Sequence, residues 1–142
     1  MNKRKEEGQG LVEYALILVL VAIVVIAILT ILGPTVAGVY ARVGAGLNGQ
    51  SLTGNGAEAA VMGPVEKSGS GFCTFTVAAG TKVVPLQDGR PVPNATVTVQ
   101  MMLGTQLIGS QPVTTNGNGV GELSSPLNGS GLCNRELSFS FS

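Results

Sequence analysis

The chain has no histidine and no tryptophan, only two cysteines, and charged side chains at 11% of its 142 residues. Without histidine, and with Cys73 far from Cys133 in sequence, the usual zinc, haem and Ser-His-Asp constellations cannot be built. No resident metal or other cofactor is expected, and enzyme chemistry is not expected either. Eight basic residues balance eight acidic ones, so no basic field is available to hold nucleic acid along a surface. These absences leave structural, membrane and binding roles.

What is present is unevenly spread. From Ala15 to Leu32 the sequence ALILVLVAIVVIAILTIL holds fourteen Leu, Ile or Val, with three Ala and Thr30 between them. As a helix this run is roughly 27 Å long, and adding Leu11 to Tyr14 brings it to about 33 Å. A bilayer core is about 30 Å thick, so the segment is long enough to span. It is apolar on every face, where a surface helix would show one stripe. Valine and isoleucine are poor helix formers in water, but lipid forces the backbone to satisfy its own hydrogen bonds. Lys3, Arg4 and Lys5 precede the run, and Arg42 is the only charge between Glu13 and Glu58. That bias places the N-terminus in the cytoplasm and everything after Tyr40 outside. Tyr40 and Arg42 are expected to anchor the helix at the outer interface. Both cysteines then lie where disulfides persist, which favours a Cys73–Cys133 bridge over two free thiols.

Four stretches follow from these patterns, and the expected class is α+β. Residues 1–8 form a short charged leader. Residues 9–43 form the hydrophobic helix, with a kink or locally melted turn at Gly33–Pro34, because proline removes a donor and clashes with the preceding turn. Residues 44–71 are rich in Gly and Ser and read as a flexible linker, with AEAAVM inside it as one helical turn or a short strand. Residues 72–142 read as a small antiparallel β-sandwich. Its short alternating runs are separated by turn signals at Asp88–Gly89, Leu103–Gly104, Asn116–Gly119 and Leu127–Gly131. Ala95, Val97, Val99 and Met101 alternate with polar neighbours, and Leu137, Phe139 and Phe141 share one face. NGNGVGE, from Asn116 to Glu122, lacks the alternating aspartates of a calcium loop and reads as a hairpin turn. Asn94 and Asn128 open tripeptides that fit the N-glycosylation sequon.

One stretch joins these features. GQGLVEY, residues 8–14, is followed at once by the apolar run. A basic leader, a glycine, four residues, Glu-Tyr and a long hydrophobic helix resemble a type IV prepilin of the Flp/Tad (type IVb) family. The resemblance covers roughly residues 3 to 36. It implies cleavage by prepilin peptidase between Gly8 and Gln9, with Glu13 and Tyr14 as the family's Glu-Tyr pair. It further implies storage as a single-pass inner-membrane helix and extraction by a cytoplasmic ATPase and an inner-membrane platform. The outcome is self-polymerisation into an extracellular filament used for adhesion. The stretch DGRPVPNATVTV…VTTNGNGVGEL resembles Ig-like or transthyretin-like surface modules and bears on fold alone. The family's major pilins are often little more than the helix, and this chain adds about 100 residues to it. A minor pilin or pseudopilin, or a non-polymerising anchor that displays a binding module, are the alternative readings. A Sec signal peptide fits less well, since its apolar core is shorter than this run.

Overall fold

The computed structural model describes residues 6–142, and the leader cations Lys3, Arg4 and Lys5 lie outside them. The chain divides into two compact units, the first ending at Gly33 and the second running from Pro34 to Ser142. One helix, α1 (Glu6–Leu47), is followed by strands alone, all paired antiparallel. The class is therefore α+β. Helical structure continues through Gly33 and Pro34, so no turn is melted there. Proline withdraws a single donor, and the turns on either side keep theirs. The division between the two units falls at this step.

The helix ends in a Schellman motif, four residues later than its pattern suggests. Gly49 adopts φ +77°, its N–H bonds the Gly46 carbonyl, and the Gln50 N–H reaches back to Ala45 at 3.0 Å. The Gln50 side chain then imitates a strand neighbour, donating to the Val61 carbonyl and accepting from its N–H. Residues 44–71 are thus not a flexible linker. Strands β1 (Ala57–Val61) and β2 (Val65–Ser68) lie within them, and AEAAV is a strand rather than a helical turn. Composition misleads here because the glycines serve turns, while Ala59, Ala60 and Val61 are fully buried. The sandwich begins at Ala57, not at Phe72.

The remaining strands are β3 (Phe72–Val77), β4 (Lys82–Gln87), β5 (Arg90–Pro91), β6 (Thr96–Leu103), β7 (Gln106–Thr114), β8 (Gly121–Glu122), β9 (Leu127–Leu132) and β10 (Leu137–Phe141). They form three sheets: β1-β4-β5 with β8 also on β4, β10-β6-β7, and β2-β3-β9. Strand β1 lies against β10 and β7 against β9, which wraps the sheets around one core. Val97, Val99, Met101 and Leu103 of β6 face that core together with Phe75, Val77, Leu127 and Phe139. Asp88 and Gly89 both take positive φ, the I′ geometry that closes a two-residue hairpin between β4 and β5.

Strand β4 is buried on both faces, from Val83 to Leu86. Val83 enters the sandwich core, whereas Val84 and Leu86 belong to a second cluster on the opposite side. Pro85 is tolerated because its carbonyl, bonded by the Val92 N–H, faces the gap between β5 and β8. No ladder donor is required on that side.

LNGSGL is the clearest departure from expectation, since a turn was expected and a strand is found. Leu127, Gly129 and Gly131 point inward and Asn128, Ser130 and Leu132 outward, with β3 as the partner. The glycines are core positions without side chains. A Cβ on Gly129 would lie 2.7 Å from Ile108, and one on Gly131 would collide with Leu103. Large neighbours fill the volume that the glycines leave. The Cys73–Cys133 disulfide forms, with Cα atoms 5.0 Å apart. Cys133 follows β9 and precedes β10. The bridge staples the end of the β3–β9 pair.

Gly131→Val should destabilise the domain by about 1–3 kcal/mol through overpacking, whereas Ser130→Val on the outer face should stay within about 0.5 kcal/mol. Urea unfolding of the detergent-solubilised chain measures both, and equal effects would contradict this account of β9. Reducing the bridge, whose cysteines are 60 residues apart, should cost up to about 4 kcal/mol in the same assay by the chain-entropy relation.

Candidate functional site: an apolar helix with one carboxylate

Every described side chain from residue 8 to residue 33 is exposed. Leu, Ile and Val on all sides of the helix find no cover among the described residues. The run is long and apolar enough to cross a membrane by length and composition. Its one hydroxyl, on Thr30, donates to the Ala27 carbonyl at 2.7 Å, so it asks nothing of an apolar surrounding.

The candidate processing and assembly residues sit at the head of this helix. Gly8 and Gln9 lie near its start, and nothing lies within 4 Å of where a Gly8 Cβ would be. Gln9, Val12, Glu13 and Leu16 line one shallow groove along the helix, as positions three, four and seven apart must. Tyr14, one residue on, points about 100° away around the axis and is exposed. Gln9 and Glu13 are therefore brought onto one face, while Tyr14 is not. Gly33 and Pro34 stand far along the same helix. The two cysteines are brought together in the sandwich, apart from all of these in sequence.

The second half of the helix does something the apolar pattern did not disclose. Ala37, Gly38, Ala41, Gly44 and Ala45 form a stripe of small residues, with Ala41 and Ala45 fully buried. They pack on Ala60, Val84 and Leu86, with Leu52 and Val120 alongside. A Cβ on Gly38 would stand 3.1 Å from Pro91, so the helix approaches β5 closely because glycine allows it. Small residues at positions 37, 41 and 45 were legible as a stripe, but the uniformly apolar surroundings hid them.

A polar clasp holds the same contact. Arg42 donates from Nη2 to the Gly89 carbonyl at 2.8 Å. The Glu58 carboxylate accepts from the Thr53 N–H and hydroxyl at 2.8 and 2.6 Å and from the Gly54 N–H at 2.9 Å. Asp88 accepts from the Gly56 N–H at 2.9 Å. Desolvation pushes the Glu58 carboxyl upward, but the Thr53 and Gly54 bonds and the nearby Arg42 charge outweigh it and leave its pKa below the ordinary value. The Gly56 N–H, with help from the Gln87 amide, likewise lowers Asp88. Tyr40 remains exposed.

Two other features carry less. A cleft of about 350 Å³ is lined by Ser51, Thr53, Glu58, Glu136, Ser138 and Ser140 among others, but both Glu58 oxygens already hold the 53–54 turn. Among the described residues no three His, Cys, Asp or Glu side chains gather as a metal site. Asn94 and Asn128 are both exposed. Asn116 accepts from the Asn118 and Val120 N–H groups through its side-chain oxygen, which builds the NGNG turn. No protein-family model, no curated protein and no solved structure matches the chain.

Glu58 and Asp88 titrate at lowered values in the folded domain, so their contribution to stability is complete above their unfolded pKa values. It is lost as the pH falls through the folded ones. The unfolding midpoint should hold down to about pH 5 and fall progressively below about pH 4. Glu58→Gln should flatten that acid limb in pH-dependent urea melts, and an unchanged limb would show that the clasp does not act through this carboxylate.

Proposed function

We propose that the chain is a structural pilin subunit, stored in the membrane by α1 and polymerised through it into a surface filament. What carries this reading is a helix exposed on every side from residue 8 to residue 33, with one carboxylate at its head, attached in sequence to a disulfide-closed β domain. A helix of this kind needs an apolar partner that its own chain does not provide. Lipid meets that need before assembly, and the helices of other copies meet it afterwards. The prepilin enters with its N-terminus inside and is cleaved by a prepilin peptidase between Gly8 and Gln9. A cytoplasmic ATPase and a membrane platform then extract it. The β domain faces outward and serves adhesion.

Glu13 finds its role in this scheme. A carboxylate deep in lipid costs about 2.5–3.5 kcal/mol, and less near the interface. The fourteen Leu, Ile and Val of the run return roughly 4–8 kcal/mol at about 0.3–0.6 each. Glu13 weakens insertion without preventing it. Cleavage would create an α-amino group on Gln9, with a reference pKa near 8 and hence largely cationic at neutral pH. Gln9 and Glu13 share one face of the helix, so in a shallow stagger the amine of one copy meets the carboxylate of the next. An unpaired buried charge is costly, so the pair selects register more than it adds stability.

Sequencing sheared surface material should give a mature chain that begins at Gln9. Glu13→Ala and Glu13→Gln should each reduce filament yield by tenfold or more while membrane insertion is retained. Undiminished filaments in both variants would sink the pairing of Glu13 with the new amine. A cleaved chain confined to trace amounts of filament would favour a minor pilin, and an uncleaved chain a display anchor.

A further inference from the structure

The two outer faces of the sandwich differ. On β10-β6-β7 the polar side chains are spent on one another: Thr96 bonds Thr114, and the Gln100 amide lies between the Ser140 and Ser142 hydroxyls. On β2-β3-β9 the residues that look outward are Phe72, Thr74 and Thr76 of β3, set directly opposite Leu132, Ser130 and Asn128 of β9. Among the described residues none of these hydroxyls, nor the Asn128 amide, makes a side-chain hydrogen bond. Phe72 is 64% exposed and Leu132 48%. An aromatic ring and a leucine thus stand side by side at one end of an unspent polar row.

The face is also almost free of charge. Its three strands carry two charged side chains, Glu66 and Lys67. Lys67 belongs to the other side: it is paired with the inward Phe75 and donates to the Cys133 carbonyl at 2.9 Å. Only Glu66, opposite Thr76, remains at one corner. With strands about 4.8 Å apart and alternate residues about 6.8 Å apart, the face measures roughly 10 by 14 Å. A protein partner needs about 800 Å² per side, and an anionic one needs cations that this face lacks. What matches is small, flat, uncharged and rich in hydroxyls. A hexose ring is such a group, since it joins an apolar face of C–H bonds to a rim of hydroxyls.

We infer that Phe72, Thr74, Thr76, Asn128 and Ser130 form a binding platform for an uncharged hexose polysaccharide. Phe72, with Leu132 beside it, covers the C–H face of one ring. The Asn128 amide and the three hydroxyls exchange hydrogen bonds with the rims of the rings that follow. The inference rests on the proposed adhesive role of the β domain, and it names what that domain holds. A single platform of this size binds weakly, and a filament that repeats it gains avidity.

Isothermal titration of the full-length chain, in a detergent without a sugar head group, tests the platform. The probes are cellohexaose and dextran, which are uncharged, and alginate, which is anionic. At least one uncharged probe should bind with a Kd in the millimolar range or tighter. Phe72→Ala should weaken that binding roughly tenfold, Phe72→Tyr should keep it, and Thr96→Ala on the other face should leave it unchanged. Formation of the Cys73–Cys133 bridge reports that each variant folds. No binding of either uncharged probe, undiminished binding by Phe72→Ala, equal loss in Thr96→Ala, or tighter binding of alginate each overturns the platform. Adherence of producing cells is read separately. Adherent cells whose chain binds neither uncharged probe leave the adhesive role standing without the platform. Non-adherent cells whose chain still binds through Phe72 remove the adhesive role and leave the platform.

Discussion

The constraint on which everything else depends is that one helix carries far more apolar surface than the described residues cover. The backbone of α1 satisfies itself, and so does its one hydroxyl in the run, through Ala27. What is left unsatisfied is side-chain surface from Leu11 to Leu32. Burial of such surface is non-directional and roughly proportional to area. It can therefore be met by lipid or by other helices, and a helix of this kind can exchange one for the other.

The β domain is arranged around the same helix at its other end. Strand β4 is buried on both faces because α1 covers Val84 and Leu86 while the sandwich covers Val83. Close approach demands small residues, hence Gly38, Ala41 and Ala45. The edges of the contact are fixed by polar groups: Arg42 on Gly89, Gln50 on Val61, and Glu58 on the 53–54 turn. These bonds lie at the end of the helix and in the loop that follows. A stretch with a linker's composition is ordered there because Gln50, Thr53, Gly54 and Gly56 have specific partners.

Much of this was legible in sequence, and the losses have identifiable causes. The helix was visible because no other structure tolerates eighteen such residues in lipid. Strands β6 and β10 were visible because one face of each alternates cleanly. Strand β9 was missed because glycine erases that alternation, although Gly129 and Gly131 occupy inward positions as surely as Leu127 does. The 44–71 stretch was misjudged because glycine and serine serve ordered turns as readily as flexible chain. Among the candidate site residues, the grouping of Gln9 with Glu13 followed from helical spacing alone.

By itself the sequence determined the long apolar helix, the Glu13 carboxylate that leads into its apolar run, the glycine before it, and the general alternation of the sandwich. Those are local properties, set by composition and by periods of 3.6 and 2 residues. The tertiary structure alone decided which of the helix's apolar residues face inward. Ala37, Ala41 and Ala45 differ little from their neighbours in hydrophobicity, and only the closeness of β4 and β5 makes their small size matter. It likewise decided that Arg42 serves a hairpin, that two glycines occupy core positions, and that Cys73 meets Cys133 beside β9. Each depends on which distant segments come together, and no local pattern encodes that.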